Sequence, residues 1–126
     1  MLEVLACADS AEAVIAAVQS GADAIYIRFG GSGAHGFTRD ALAKSVRYCR
    51  VRGCRVYAEL DTLVADSEAA AAANLARTAC ELGVDALIAQ DLGFIPMAKA
   101  AAPDVPVFAG ERLGLHTVSY THLRAH

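Results

Sequence analysis

Two near-identical tetrapeptides, Gly21-Ala22-Asp23-Ala24 and Gly83-Val84-Asp85-Ala86, constrain this chain more than any other feature. Each leads into a short apolar run, Ile25-Tyr26-Ile27 and Leu87-Ile88-Ala89. Gly53 holds the equivalent place between them, at intervals of 32 and 30 residues. That is about one βα unit per interval. The glycines read as helix stops, where a left-handed residue meets no Cβ clash.

The rest of the chain fills in around these marks. Glu3 to Ala6, Ala24 to Ile27, Cys54 to Leu60, Leu87 to Ala89 and Val105 to Ala109 read as five strands. The first helix is expected to start at Asp9, with Glu12 completing a capping box and Val14, Ile15 and Val18 at helical spacing. Thr38 is expected to cap a second helix with Leu42, Val46 and Cys49 inward. A third begins near Asp66 or Ser67 and carries the alanine run Ala69 to Ala73. Ile95, Met97 and Ala98 mark a fourth, with Pro96 in its first turn and Pro103 closing it.

Strands alternating with helices give an α/β fold with a parallel sheet. Two arrangements fit: a TIM-barrel-like half barrel, or an open doubly wound sheet. A full barrel takes roughly 250 residues, so the 126 residues here would supply about half of one. Residues 1–115 form this domain. The tail, residues 116–126, does not continue the repeat and reads as irregular, foreign or misread sequence.

Composition excludes several classes. Hydrophobic residues make up 56% and charged residues 20%, which rules out a disordered chain. A net charge of -3 with no basic run gives no duplex-binding footprint. Cys7, Cys49, Cys54 and Cys80 contain no C-x-x-C pair and match no zinc or ferredoxin spacing. With no signal peptide and no membrane-length apolar run, the expectation is a cytoplasmic protein with reduced thiols and no membrane partner.

In a parallel α/β sheet the chemistry gathers at the carboxyl ends of the strands. Glu59, Asp61, Gln90 and Asp91 stand at or just after such ends, with Glu111 a further candidate. Carboxylates on one rim can hold a divalent metal or act as acid and base. They also serve as helix caps and solubilising groups. Gly31-Ser32-Gly33-Ala34-His35-Gly36 spells the dinucleotide-binding pattern, with Glu59 after the next strand. The helix begins only at Thr38, past the third glycine, so a flexible loop is the preferred reading of that segment. Cys7 reads as a small apolar residue at the end of the first strand, and His35 as a solvated loop histidine.

The run Gly21-Ala22-Asp23-Ala24-Ile25-Tyr26-Ile27 resembles the second strand of the collagenase-like peptidase family, peptidase family U32. Leu5 to Ser10, Phe37-Thr38, Tyr48 to Tyr57, Leu60 to Val64 and, most closely, Asp85 to Gly93 resemble further family segments in register. The resemblance implies the N-terminal portion of a TIM-barrel-like domain, in a truncated member, and peptide-bond hydrolysis on a peptide or protein substrate. It also admits the activity of similar members, iron–sulfur-dependent hydroxylation of RNA bases or of a quinone precursor. The cluster cysteines of those members lie downstream, and none of the four here can be carried onto them. Two further readings stand beside it: a nucleotide-binding module, and an inactive fragment that self-associates through exposed strand edges. Departures gather on the rim. Asp61 stands where Asn is usual, and Phe108-Ala109-Gly110-Glu111-Arg112 replaces a His-Ala-Ser-Thr-Gln-like segment.

Overall fold

The computed structural model describes residues 3–30, 37–60, 69–89 and 92–110. Five strands alternate with four helices: β1 Leu5–Cys7, α1 Ala11–Gln19, β2 Ala24–Phe29, α2 Arg39–Val51, β3 Arg55–Leu60, α3 Ala69–Leu82, β4 Ala86–Ala89, α4 Ile95–Ala101 and β5 Val107–Ala109. A single 3-10 turn, Leu92–Phe94, leads into α4. All the pairings are parallel, and the order is β1-β2-β3-β4-β5. A doubly wound sheet would reverse direction partway across. This order never reverses, so the barrel-like arrangement holds and the doubly wound alternative falls. Among the described residues the sheet does not close, and β1 and β5 are its edges.

Period-two alternation sorts the strand residues onto two faces. Ile25, Ile27 and Phe29 of β2, Val56, Ala58 and Leu60 of β3, and Leu87 of β4 share one core with Val14, Leu42, Val46, Cys49, Ala76, Ala79 and Ala98 of the helices. Leu5, Ala24, Tyr26 and Ile88 form a separate cluster on the opposite face, with Tyr57 beside it. The helices therefore cover one face only. The other is the concave face of a barrel sector.

The tetrapeptide repeat performs the same task twice. Helix α1 ends where Ala22 N–H donates to the Ala17 carbonyl at 3.1 Å, and α3 where Val84 N–H donates to Ala79 at 3.3 Å. These bonds reach back five residues, and they need a left-handed residue just before the donor. Gly21 and Gly83 supply it, with φ of 101° and 97°. Two residues on, each aspartate grips the backbone where the preceding strand begins. Asp23 N–H donates to the Val4 carbonyl at 2.8 Å, while its Oδ2 accepts from Val4 N–H at 2.8 Å. Asp85 repeats this on Val56, at 2.8 Å for both bonds. The middle unit has Cys54 directly after Gly53 and no aspartate, so β3 begins one residue sooner.

One expectation about helix starts is corrected. The N-cap of α1 is Ser10, not Asp9; its Oγ accepts from Ala13 N–H at 3.1 Å. The helix begins one residue later than expected, so Glu12 sits one position short of closing a capping box. Thr38 caps α2 as expected, accepting from Ala41 N–H at 3.1 Å. Leu42, Val46 and Cys49 are buried, and Pro96 lies in the first turn of α4. The expected start of α3 at Asp66 or Ser67, the glycine-rich loop and the tail boundary all lie outside the described residues. Among the described residues no helix is long and apolar enough to cross a membrane.

The two aspartate grips differ in setting: the Val56 amide is partly buried, the Val4 amide exposed. Water can replace the second acceptor more readily than the first. Asp85→Ala is therefore expected to lower stability by about 1–3 kcal/mol, and Asp23→Ala by clearly less. Chemical denaturation of the two variants measures the difference.

Candidate functional site

The register of the strands places one polar set on the concave face. Arg28 of β2 pairs with Glu59 of β3, Glu59 with Ile88 of β4, and Ile88 with Phe108 of β5. One row nearer the amino ends, Cys7 pairs with Tyr26 and Tyr26 with Tyr57. Barrel interiors are usually filled by branched aliphatic side chains. Here a cation and a carboxylate take those places toward the carboxyl end where barrel chemistry gathers, with two phenols in the row below.

Glu59 is the centre of the set. It is only 7% exposed, one of two buried polar residues among those described. Burying an isolated carboxylate is prohibitive, so it must be paired. The Tyr26 hydroxyl donates to Glu59 Oε1. Arg28 Nε forms an ion pair with Glu59 Oε2 at 3.5 Å. Each oxygen thus has its own partner, and the guanidinium offsets the buried charge.

The phenol of Tyr26 is pushed well above its ordinary value of 10.0. Burial is the main cause, followed by its hydrogen bond to Glu59 and the charge of that carboxylate; Arg28 pulls the other way. Tyr26 is consequently a neutral hydrogen-bond donor throughout the physiological range. Arg28 differs from its partners in exposure, its side chain being 53% accessible against 9% for Glu59. The buried carboxylate anchors it, and about half of the side chain is open to solvent.

A second polar set lies on the same face at the amino end. Glu3 pairs with Arg55 and accepts from the Tyr57 hydroxyl at 3.2 and 3.4 Å. Two depressions also lie at that end. One of about 200 Å³ is lined by Arg50, Gly53, Cys54, Arg55 and Asp85, and one of about 330 Å³ by Lys99 of α4 and the segment from Ala102 to Val107. The amino end of a barrel serves stability rather than chemistry. Arg50 accordingly donates to the Gly83 carbonyl at 3.0 Å, and Arg55 is held by Glu3.

Of the rim residues expected from sequence, Glu59 stands in the set just described. Asp61, Gln90, Asp91, Glu111 and His35 lie outside the described residues. Tyr26 and Arg28 were not among the expected site residues. Their signal was alternation: in Ala24-Ile25-Tyr26-Ile27-Arg28-Phe29 the polar residues fall on one parity, opposite the apolar ones.

Among the described residues no group of three or more His, Cys, Asp or Glu is placed to hold a metal ion. The four cysteines are dispersed. Cys49 and Cys54 are buried in the helix-side core, Cys80 packs against that core from α3, and Cys7 ends β1 on the opposite face. Burial raises the thiols of Cys49 and Cys54, the latter to about 12, so both remain protonated and unreactive at neutral pH.

The raised Tyr26 phenol has a consequence at alkaline pH. Below pH 10 the folded and unfolded chains both hold that proton, and its contribution to stability is complete. Above pH 10 the unfolded chain releases it while the folded chain retains it, so stability falls as pH rises. Wild type is expected to lose more stability between pH 10 and 11 than Tyr26→Phe, by up to roughly 1 kcal/mol. Urea midpoints of both proteins across that range are the measurement.

The model of peptidase family U32 matches residues 9–121. The chain is 32% identical over 120 residues to the 23S rRNA 5-hydroxycytidine C2501 synthase of Escherichia coli, covering 93% of this chain and 18% of that protein. It is 28% identical over 108 residues to a collagenase of Porphyromonas gingivalis, covering 82% of this chain and 26% of that protein. The chain thus spans about a quarter or less of these relatives. Among solved structures, a Coccidioides immitis protein named for deoxyribose-phosphate aldolase superposes with a TM-score of 0.56 at 12% identity. That match covers 83% of this chain and 45% of the other, and shows the barrel fold alone.

Proposed function

This chain belongs to peptidase family U32, and from that membership we propose that it forms the substrate-facing amino-terminal part of a barrel enzyme that hydrolyses peptide bonds. The observation that carries the reading is the set of Glu59, Tyr26 and Arg28 toward the carboxyl end of the concave face. The likeness to a collagenase supports it from outside.

Hydrolysis needs a base for water and donors that hold the substrate carbonyl. Both oxygens of Glu59 already have partners, so its part is to hold Arg28 and Tyr26 in place. The base is assigned to Asp61, the first residue after β3 in the sequence, or Asp91, the second after β4, with Gln90 as a donor. A divalent metal held by those carboxylates would polarise the carbonyl or activate the water when bound.

The similarity to an rRNA hydroxycytidine synthase favours a second reading, hydroxylation of an RNA base. The iron–sulfur cluster this reading implies does not fit the described residues. The four thiols lie on opposite faces of the sheet, and two of them are sealed in the core. No step through a cluster is derived from this chain.

Cleavage of gelatin and of a fluorogenic peptide by the full chain tests the peptidase reading. Asp61→Ala or Asp91→Ala is expected to lower turnover by about 100-fold or more, the usual loss when a general base is removed. Cleavage untouched by both substitutions would overturn the assignment. No cleavage at all, with a hydroxylated base produced in RNA, would favour the second reading.

A further inference from the structure

We propose that Arg28 is a recognition point for a carboxylate of the peptide substrate, either its C-terminal carboxylate or an acidic side chain. The inference rests on the peptidase reading for the nature of the ligand. It stands on the geometry of one side chain.

Arg28 Nε faces Glu59 Oε2, and among the described residues that ion pair is what holds the Arg28 side chain, whose backbone carbonyl accepts from Phe37 N–H. The side chain is 53% accessible, on the face where substrate must arrive. A guanidinium offers parallel N–H groups in a planar fork, which matches the two oxygens of a carboxylate. Surface arginines seldom make such sites, because ordering the long side chain costs entropy. Here that ordering is met within the fold. Glu59 is buried, Tyr26 fixes its other oxygen, and the carboxylate in turn fixes the guanidinium.

Charge selects the class of anion. Arg28 is already paired with Glu59, and Tyr26 stays protonated. Phosphate sites gather several cations or a row of backbone N–H groups around a dianion. A single guanidinium that already carries a counter-ion suits a monoanion instead. A net charge of -3 with no basic run also weighs against a polyanionic ligand.

The test is binding, read without turnover, so that failure of hydrolysis and failure of this inference are distinguishable. Titration calorimetry on the full chain would compare a hexapeptide with a free C-terminus, the same peptide as its C-terminal amide, the amide with one internal glutamate, and inorganic phosphate. At least one carboxylate-bearing peptide is expected to bind about 10-fold more tightly than the uncharged amide, a ratio typical of a charge-assisted bidentate contact. Which of the two does so identifies the source of the carboxylate. Arg28→Ala should bring that ratio to one, and Arg28→Lys, which keeps the charge for Glu59 but not the fork, should retain part of it. Because each ratio is taken within one protein, a partly unfolded variant still reports. Equal binding of acid and amide by wild type would overturn the inference. So would a ratio that persists in Arg28→Ala, or inorganic phosphate binding more tightly than either acidic peptide.

Discussion

All four helices lie against one face of the sheet, and the rest of the molecule depends on that one-sidedness. A strand carries two faces, so a sheet wound in one direction leaves the second face to something other than a helix. Ile25, Ile27, Phe29, Val56, Ala58, Leu60 and Leu87 meet the helices and are all under 5% exposed. Truncating any of the larger ones to alanine would cost about 2–5 kcal/mol. The opposite parity holds Ala24, Tyr26 and Arg28 beside Arg55, Tyr57 and Glu59. Because one face supplies the apolar stabilisation, the other has room for charged groups.

That freedom is used with restraint. Glu59 is buried on this face with a phenol and a guanidinium on its two oxygens. The arrangement turns an otherwise costly charge into a fixed mount for Arg28. The amino end makes a similar set from Glu3, Arg55 and Tyr57. The two sets differ in consequence, because only the Glu59 set lies toward the end of a parallel sheet where strand-to-helix loops converge.

Much of this was legible in the chain before its structure. The Gly-x-Asp-Ala repeat announced the βα units, and its aspartates prove to be the residues that clasp the preceding strand at Val4 and Val56. Thr38 capped its helix as read, whereas Asp9 lost its place to Ser10 because the helix starts one residue later. Helix caps turn on single-residue offsets that composition cannot resolve. Glu59 was legible as a strand-end carboxylate, but its partners were not. Finding Arg28 required the β2–β3 register, which pairs Ala24 with Arg55 and so Arg28 with Glu59. The turn at Gly53-Cys54, where the repeat drops its aspartate, leads into that register. A one-residue slip there would have turned Glu59 toward the helices.

The coupling of Tyr26 to Glu59 tests the account most directly, through a double-mutant cycle of Tyr26→Phe and Glu59→Ala followed by chemical denaturation. If the buried carboxylate organises the concave face, the two changes will be strongly non-additive, with a coupling of about 1.5–3 kcal/mol expected for a hydrogen bond to a charged group. Effects that simply add, to within about 0.5 kcal/mol, would mean that Glu59 and Tyr26 are neighbours without being partners, and would contradict the account.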